Sequence, residues 1–188
     1  MSEEIKGKRV AVMVANEGVE QIEMTAPIEA LKNAGAEVDL IAPEHGEVQA
    51  FNHLDKADTF RVDHSLGEVN SGDYAALVLP GGVANPDKLR TEPKAIKFVT
   101  DFFSEGKPVA AICHAPWTLV EADVVQGRTL TSWPSLKTDI ENAGGTWVDE
   151  EVHVDQGLVT SRNPDDLDAF CSKMVEEITE GRHAGQTA

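Results

Sequence analysis

Cysteine is scarce, basic residues are outnumbered and long apolar runs are missing. Cys113 and Cys171 are the only two cysteines among 188 residues, too few for a disulfide framework. No apolar stretch approaches the ~20 residues that cross a bilayer. Met1-Ser2-Glu3-Glu4-Ile5-Lys6 has neither the basic start nor the apolar run of a secretory signal. The expectation is a cytoplasmic protein with reduced thiols. Lys and Arg number 16 against 33 Asp and Glu, a formal charge of −17. That sign repels duplex phosphates and anionic membrane surfaces, so neither direct duplex nucleic-acid binding nor a membrane partner is expected. Trp117, Trp133 and Trp147 are too scattered for a base-stacking platform. No GxGxxG or Walker pattern occurs, which excludes the usual glycine-rich phosphate cradles.

What is present is ordinary for a globule: 41% hydrophobic and 26% charged residues. The length fits one domain over 1–188, with a core at about 8–180 and a flexible tail at 181–188. Periodicity alternates along the chain. Val-rich Arg9–Ala15 reads as a buried strand, Asn16-Glu17-Gly18 as a loop, and the segment from Glu20 to Asn33 as a helix. Strands follow at Glu37–Ala42, Tyr74–Leu79, Val109–Ile112, Gly127–Thr131, Val152–Val154 and Leu158–Ser161. Helices are expected at Glu92–Phe103, Ala115–Glu121, Pro134–Ala143 and Asp165–Ile178. Residues 43–72 are irregular and suit a short hairpin. Strand–helix–strand alternation predicts an α/β chain with a mostly parallel sheet. Such sheets bind ligands outside the carboxyl ends of their strands.

Three of those ends carry polar or glycine-rich residues. Cys113 ends an apolar strand and is followed by His114-Ala115-Pro116, the setting of a nucleophile on a strand-to-helix turn. A helix N-terminus there lowers a thiol pKa. The bland alternative is a small buried core cysteine. His114 is the natural base or imidazolium partner, although adjacent side chains on a regular helix do not face each other. Its backbone N–H, together with Gly81-Gly82, suits an oxyanion hole; Gly81-Gly82 also fits a plain turn. Glu20 and Glu23 open the first helix. They either complement its dipole or place a protonated carboxyl against the thiolate. Asp87 is a first-turn acid or a third member orienting His114. His45, His53 and His64 lack metal-ligand spacing, and His153 with Asp155 supplies too few ligands, so no metal site and no cofactor are expected. Cys171 sits in the apolar stripe of the last helix and reads as core.

These residues resemble the ThiJ/PfpI superfamily, related to class I glutamine amidotransferases. The similarity lies in Glu20-Gln21-Ile22-Glu23, in Leu77-Val78-Leu79-Pro80-Gly81-Gly82 and in Gly106-Lys107-Pro108-Val109-Ala110-Ala111-Ile112-Cys113-His114. Gly127-Arg128, Lys137-Thr138-Asp139, Trp147-Val148-Asp149 and Val159-Thr160-Ser161-Arg162 are similar to its PfpI branch. The resemblance implies a flavodoxin-like three-layer α/β/α sandwich with a nucleophile elbow. It implies Cys113 as nucleophile, His114 as adjacent catalytic histidine and Glu20 as the acid at the sulfur. Glu17 and Glu23 compete for that last role, because the preceding segment is one residue longer than usual. Gly81 and Gly82 would bind the oxyanion. Asp87 stands where the branch carries a glutamate reaching a neighbouring subunit's histidine, one methylene shorter here. A homodimer or higher homo-oligomer is therefore expected.

Three functions follow. The first is a stress-related cysteine hydrolase of small carbonyl compounds and of glycated protein or peptides. The second is an intracellular cysteine peptidase. The third is a redox-sensing stress chaperone oxidised at Cys113.

Overall fold

The computed structural model describes residues 5–186. In chain order the strands are β1 Arg9–Met13, β2 Glu17–Glu20, β3 Glu37–Ala42, β4 Glu47–Asn52, β5 Asp55–Arg61, β6 His64–Ser65, β7 Ala76–Leu79, β8 Val109–Ile112, β9 Thr129–Leu130, β10 Thr146–Trp147, β11 His153–Asp155 and β12 Leu158–Ser161. The helices are α1 Gln21–Asn33, α2 Ala84–Leu89, α3 Pro93–Ser104, α4 Pro116–Glu121, α5 Lys137–Asn142 and α6 Leu167–Glu180.

Seven strands form the central sheet in the order β11-β12-β8-β7-β1-β3-β6. All neighbours run parallel except β11 against β12. The pleat divides the core. Ala11, Met13, Leu77, Leu79, Val109 and Ala111 point to one face, against Phe98 and Phe102 of α3, Leu119 of α4 and Ile140 of α5. Their chain neighbours Val10, Val12, Ala76, Val78, Ala110 and Ile112 point to the other, against Met24 and Leu31 of α1 and Phe170 and Met174 of α6. Both faces are covered, which is why these strands read as unbroken apolar runs. Burying each large side chain stabilises the fold by about 1.5–3 kcal/mol. The three-layer, flavodoxin-like α/β architecture agrees with the sequence expectation.

From β1 the chain crosses to β3 on one side, then returns to β7 on the other. The sheet order therefore reverses between β1 and β7, and the crevice at such a reversal is the favoured ligand site. The ends of β1, β7 and β8 meet there.

Two local differences from the sequence reading matter. Residues 17–20 are a strand, β2, paired parallel with β4 in a small sheet completed by β5. Helix α1 therefore starts at Gln21, not Glu20. Within the segment 181–188, the described residues make contacts with the body of the fold. His183 N–H donates to Gly106 O at 2.8 Å, His183 Nε2 lies 3.1 Å from Glu177 Oε2, and Gln186 is buried. Thr187 and Ala188 lie outside the described residues.

Candidate active site

Cys113 follows β8 with φ +65°, the left-handed region that a non-glycine residue seldom occupies. The conformation is fixed on both sides. Cys113 N–H donates to Ser161 O of β12 at 3.0 Å, and Trp133 N–H donates to Cys113 O at 2.9 Å. Helix α4 starts three residues later, with Pro116 at its first position, where a missing N–H costs nothing. This is the elbow that the apolar run into Cys113 predicts.

The bend also resolves the adjacency of Cys113 and His114. Off a regular helix their side chains meet, with Cys113 Sγ 3.2 Å from His114 Nδ1. The imidazole stacks on Trp133 with ring centres 5.7 Å apart and tilts against Trp117 at 5.2 Å. Burial pulls the His114 pKa below the ordinary imidazole value, favouring the neutral ring.

Glu23, not Glu20, faces the sulfur. Its side chain is fully buried, and the Cys113 thiol and the Gly81 and Gly82 amides act on its carboxyl. Neither Glu23 oxygen has a well-aligned hydrogen bond. Burial, reinforced by the nearby Glu20 charge, pushes the Glu23 pKa up to about 7. Burial and the Glu23 charge push the Cys113 thiol up, while the Gly82 and His114 N–H groups pull it down. The pair therefore resists a second negative charge, and thiolate at Cys113 goes with a proton on Glu23.

Glu20 has a different task. As the last residue of β2 its Oε2 accepts from His53 N–H at 2.9 Å, pinning the β4–β5 hairpin tip. Phe51, His53 and Leu54 of that hairpin line the cleft, and Leu54 is almost wholly exposed. Asp87 also lines the cleft, but its Oδ1 accepts from Arg90 Nη2 at 2.5 Å, so within this chain it is paired with Arg90 and not with His114. The Arg90 guanidinium lies over Trp117, 4.9 Å from the ring centre. Glu17 pairs with Lys88 at 3.2 Å across the mouth.

The cleft encloses about 670 Å³ and exposes Cys113, His114 and Gly82 at its floor, a size that suits small ligands. Gly82 lines the floor, whereas Gly81, expected to bind the oxyanion, lies behind it between Glu23 and Cys113, and neither position has room for a side chain. A Cβ on Gly81 would lie 2.4 Å from Glu23 Oε2 and 2.6 Å from Cys113 Cβ, and one on Gly82 would lie 2.4 Å from Gly18 O. Among the described residues, side chains grouped like metal ligands are Glu177, Glu180 and His183 at the end of α6, none of which lines the cleft. Among those residues, no helix is long and apolar enough to cross a membrane.

A model of the DJ-1/PfpI family matches residues 8–177. The chain belongs to the DJ-1/PfpI family. Protein/nucleic acid deglycase 2 of Escherichia coli is 42% identical over 164 residues, covering 87% of this chain and 93% of that protein. The Bacillus subtilis protein named "Putative cysteine protease YraA" is 39% identical over 163 residues, 87% of this chain and 94% of that one. The crystal structure of Drosophila melanogaster DJ-1beta superposes with a TM-score of 0.84 at 30% identity, covering 92% of this chain and 91% of that one.

Of the residues singled out in the sequence, Cys113, His114, Gly82, Glu20 and Asp87 line the cleft and Gly81 does not; from sequence, Glu23 was named only as a competitor of Glu20. Sequence reasoning missed the Trp133 stack and the buried amide of Asn85, which lies inside the run after Gly82. No local pattern distinguishes Asn85 from a turn residue.

Proposed function

We propose that this DJ-1/PfpI chain is a cysteine-dependent hydrolase of reactive carbonyls and of their adducts on protein or peptide amines. One observation carries the reading: Cys113 Sγ sits at an elbow in a small cleft, between a buried carboxyl raised to about 7 and two backbone amides. The names of the deglycase relatives point the same way.

The chemistry follows from that geometry. Glu23 takes the thiol proton, and the sulfur adds to an aldehyde carbon. A C–S bond forms, and the carbonyl oxygen becomes an alkoxide beside the Gly82 and His114 N–H groups. Protonation of the alkoxide gives a hemithioacetal. In a glyoxal, Glu23 or His114 then moves the proton on that carbon to its neighbour, converting hemithioacetal to 2-hydroxy thioester. Water cleaves the C–S bond, releasing a 2-hydroxy acid and restoring the thiol. The net change is glyoxal plus water to 2-hydroxy acid, with no outside oxidant. An amine adduct enters the same path by losing its amine.

The test is methylglyoxal consumption with lactate as readout, wild type against Cys113→Ala, on material free of other glyoxalases. Turnover that depends on Cys113 supports the proposal. Undiminished turnover in Cys113→Ala overturns it, and a wild type that cleaves peptides but leaves methylglyoxal unchanged moves the assignment to a peptidase.

A further inference from the structure

Asn85 is a fully buried amide in α2. Such a group is costly unless each of its donors and acceptors is met. Here each is. Oδ1 accepts from Ala15 N–H at 2.6 Å, and Nδ2 donates to Pro80 O at 2.9 Å and to Gly81 O at 3.0 Å. The opposite amide orientation would set N–H against N–H and carbonyl against two carbonyls, so the network fixes the assignment. Ala15 lies just beyond β1, and Pro80 and Gly81 just beyond β7. One side chain thus ties the two strand ends that flank the crevice.

The bond to Gly81 O has a directional consequence. Gly81 C=O and Gly82 N–H belong to one planar trans peptide and point in opposite directions. Anchoring the oxygen on Asn85 turns the N–H the other way, where it acts on the Cys113 sulfur and the Glu23 carboxyl. Left alone, a Gly-Gly peptide rotates easily, because glycine accepts either sign of φ. Side chains on the two glycines cannot stiffen it, since both positions lack room for a Cβ. The restraint has to come from outside the loop: Glu20 N–H also donates to Gly81 O, but at 3.4 Å, so the Asn85 amide at 3.0 Å is the closer anchor.

We infer that Asn85 is the positioning residue that keeps the Gly81–Gly82 peptide from flipping and so keeps the Gly82 N–H aimed at the reacting centre. It does not line the cleft. It acts through Gly82, and its bond to Gly81 O also polarises the opposite N–H into a better donor. Its catalytic consequence rests on the hydrolase reading above; its effect on the Cys113 sulfur does not.

Asn85→Asp tests this, because it keeps the shape and the acceptor for Ala15 N–H while replacing the donor with an oxygen that repels both carbonyls. Asn85→Ser, smaller and uncharged, carries the test if the aspartate variant does not fold. In a Cys171→Ser background, iodoacetamide alkylation of Cys113 is followed against pH, alongside kcat and KM for methylglyoxal. Ile140→Ala, buried in α5 on the far face of the sheet, serves as a control for general loss of Tm. The expected result is an alkylation midpoint moved to higher pH and a kcat lowered by about 10²–10³-fold, the range for loss of one oxyanion donor, with KM little changed. The control should leave the alkylation profile in place. Folded Asn85 variants with the wild-type alkylation profile overturn the inference. Cys113-independent turnover would sink only the hydrolase reading, because alkylation reports on the Gly82 amide without any substrate.

Discussion

Glu23 and Cys113 meet across Gly81, so closely that the space between them has no room for a methyl group: a Cβ there would lie 2.4 Å from Glu23 Oε2 and 2.6 Å from Cys113 Cβ. The contact places an acid raised to about 7 against a thiol that burial and the same acid hold up.

Glu23→Gln keeps the shape and removes the charge. Turnover should fall by about 10²–10⁴-fold, the usual worth of a positioned general base. The thiol should become more acidic, because the Glu23 charge no longer opposes the thiolate. Alkylation midpoint and kcat thus move in opposite senses, which a misfolded variant would not do. Glu20→Gln should cost much less, since that carboxylate serves the His53 amide. A larger loss in Glu20→Gln than in Glu23→Gln would reverse the assignment.

The raised Glu23 pKa also makes stability depend on pH. Between the ordinary carboxylate value of 4.5 and about 7 the native state binds more protons at this site than the unfolded chain. The contribution is therefore most favourable below that window and is lost as pH rises through it. A shift of that size is worth on the order of 3 kcal/mol. Glu23→Gln should accordingly gain Tm over wild type at pH 8 by more than it does at pH 4.5. Equal differences at both values would show that the carboxyl is not held protonated.

Trp133 covers one face of His114. Trp133→Ala should let water reach the imidazole and raise its pKa toward the ordinary value of about 6.5. A titration of the His114 ring resonances by NMR reads this directly. An unchanged midpoint would mean that Trp117 and the elbow alone desolvate the ring.

Gly81→Ala puts a methyl group against Glu23, Cys113 and Ile112 O. Overpacking of this kind costs about 1–3 kcal/mol. Activity should fall further than thermal stability explains, because the methyl separates Glu23 from the sulfur. Chemical denaturation and kcat measured on the same preparation check both parts.

His183→Ala leaves Glu177, nearly sealed from solvent, without the imidazole 3.1 Å from its carboxylate, a charge contact and not an aligned hydrogen bond. An unpaired buried group costs about 1–3 kcal/mol. Tm should fall while methylglyoxal turnover well below the new Tm stays at the wild-type level, since neither residue lines the cleft. No change in Tm would show that the His183 side chain contributes nothing to the fold.

The order of strands and helices was written in local pattern. Apolar runs such as Leu77-Val78-Leu79 and Val109–Ile112 have no polar side, so they belong in a sheet covered on both faces, and each becomes a central strand. Cys113 and Gly82 were legible for the same reason: a strand that ends on a small polar residue before Pro116, or on Gly-Gly, must expose that end at one edge of a parallel sheet. Asp87 was less legible, because a first-turn acid has several basic neighbours to choose from and Arg90 lies three residues on.

Which glutamate reaches the sulfur was not a local matter. Glu17, Glu20 and Glu23 differ in direction according to where strand gives way to helix, and that boundary is set by the pairing of β2 with β4, about thirty residues away. Pairing holds residues 17–20 extended and delays the helix to Gln21. The first turn of α1 then carries Glu23 inward beneath Gly81 and leaves Glu20 at the hairpin. The partners of Asn85 were equally out of reach, because Ala15 lies seventy residues away. The sequence by itself determined the alternation of elements, the elbow and the cysteine placed on it, since these follow from periodicity and from residues adjacent in the chain. Tertiary structure alone decided the acid, the histidine stack and the anchoring of the Gly81–Gly82 peptide, because each depends on the relative phase of elements that meet only when the sheet closes.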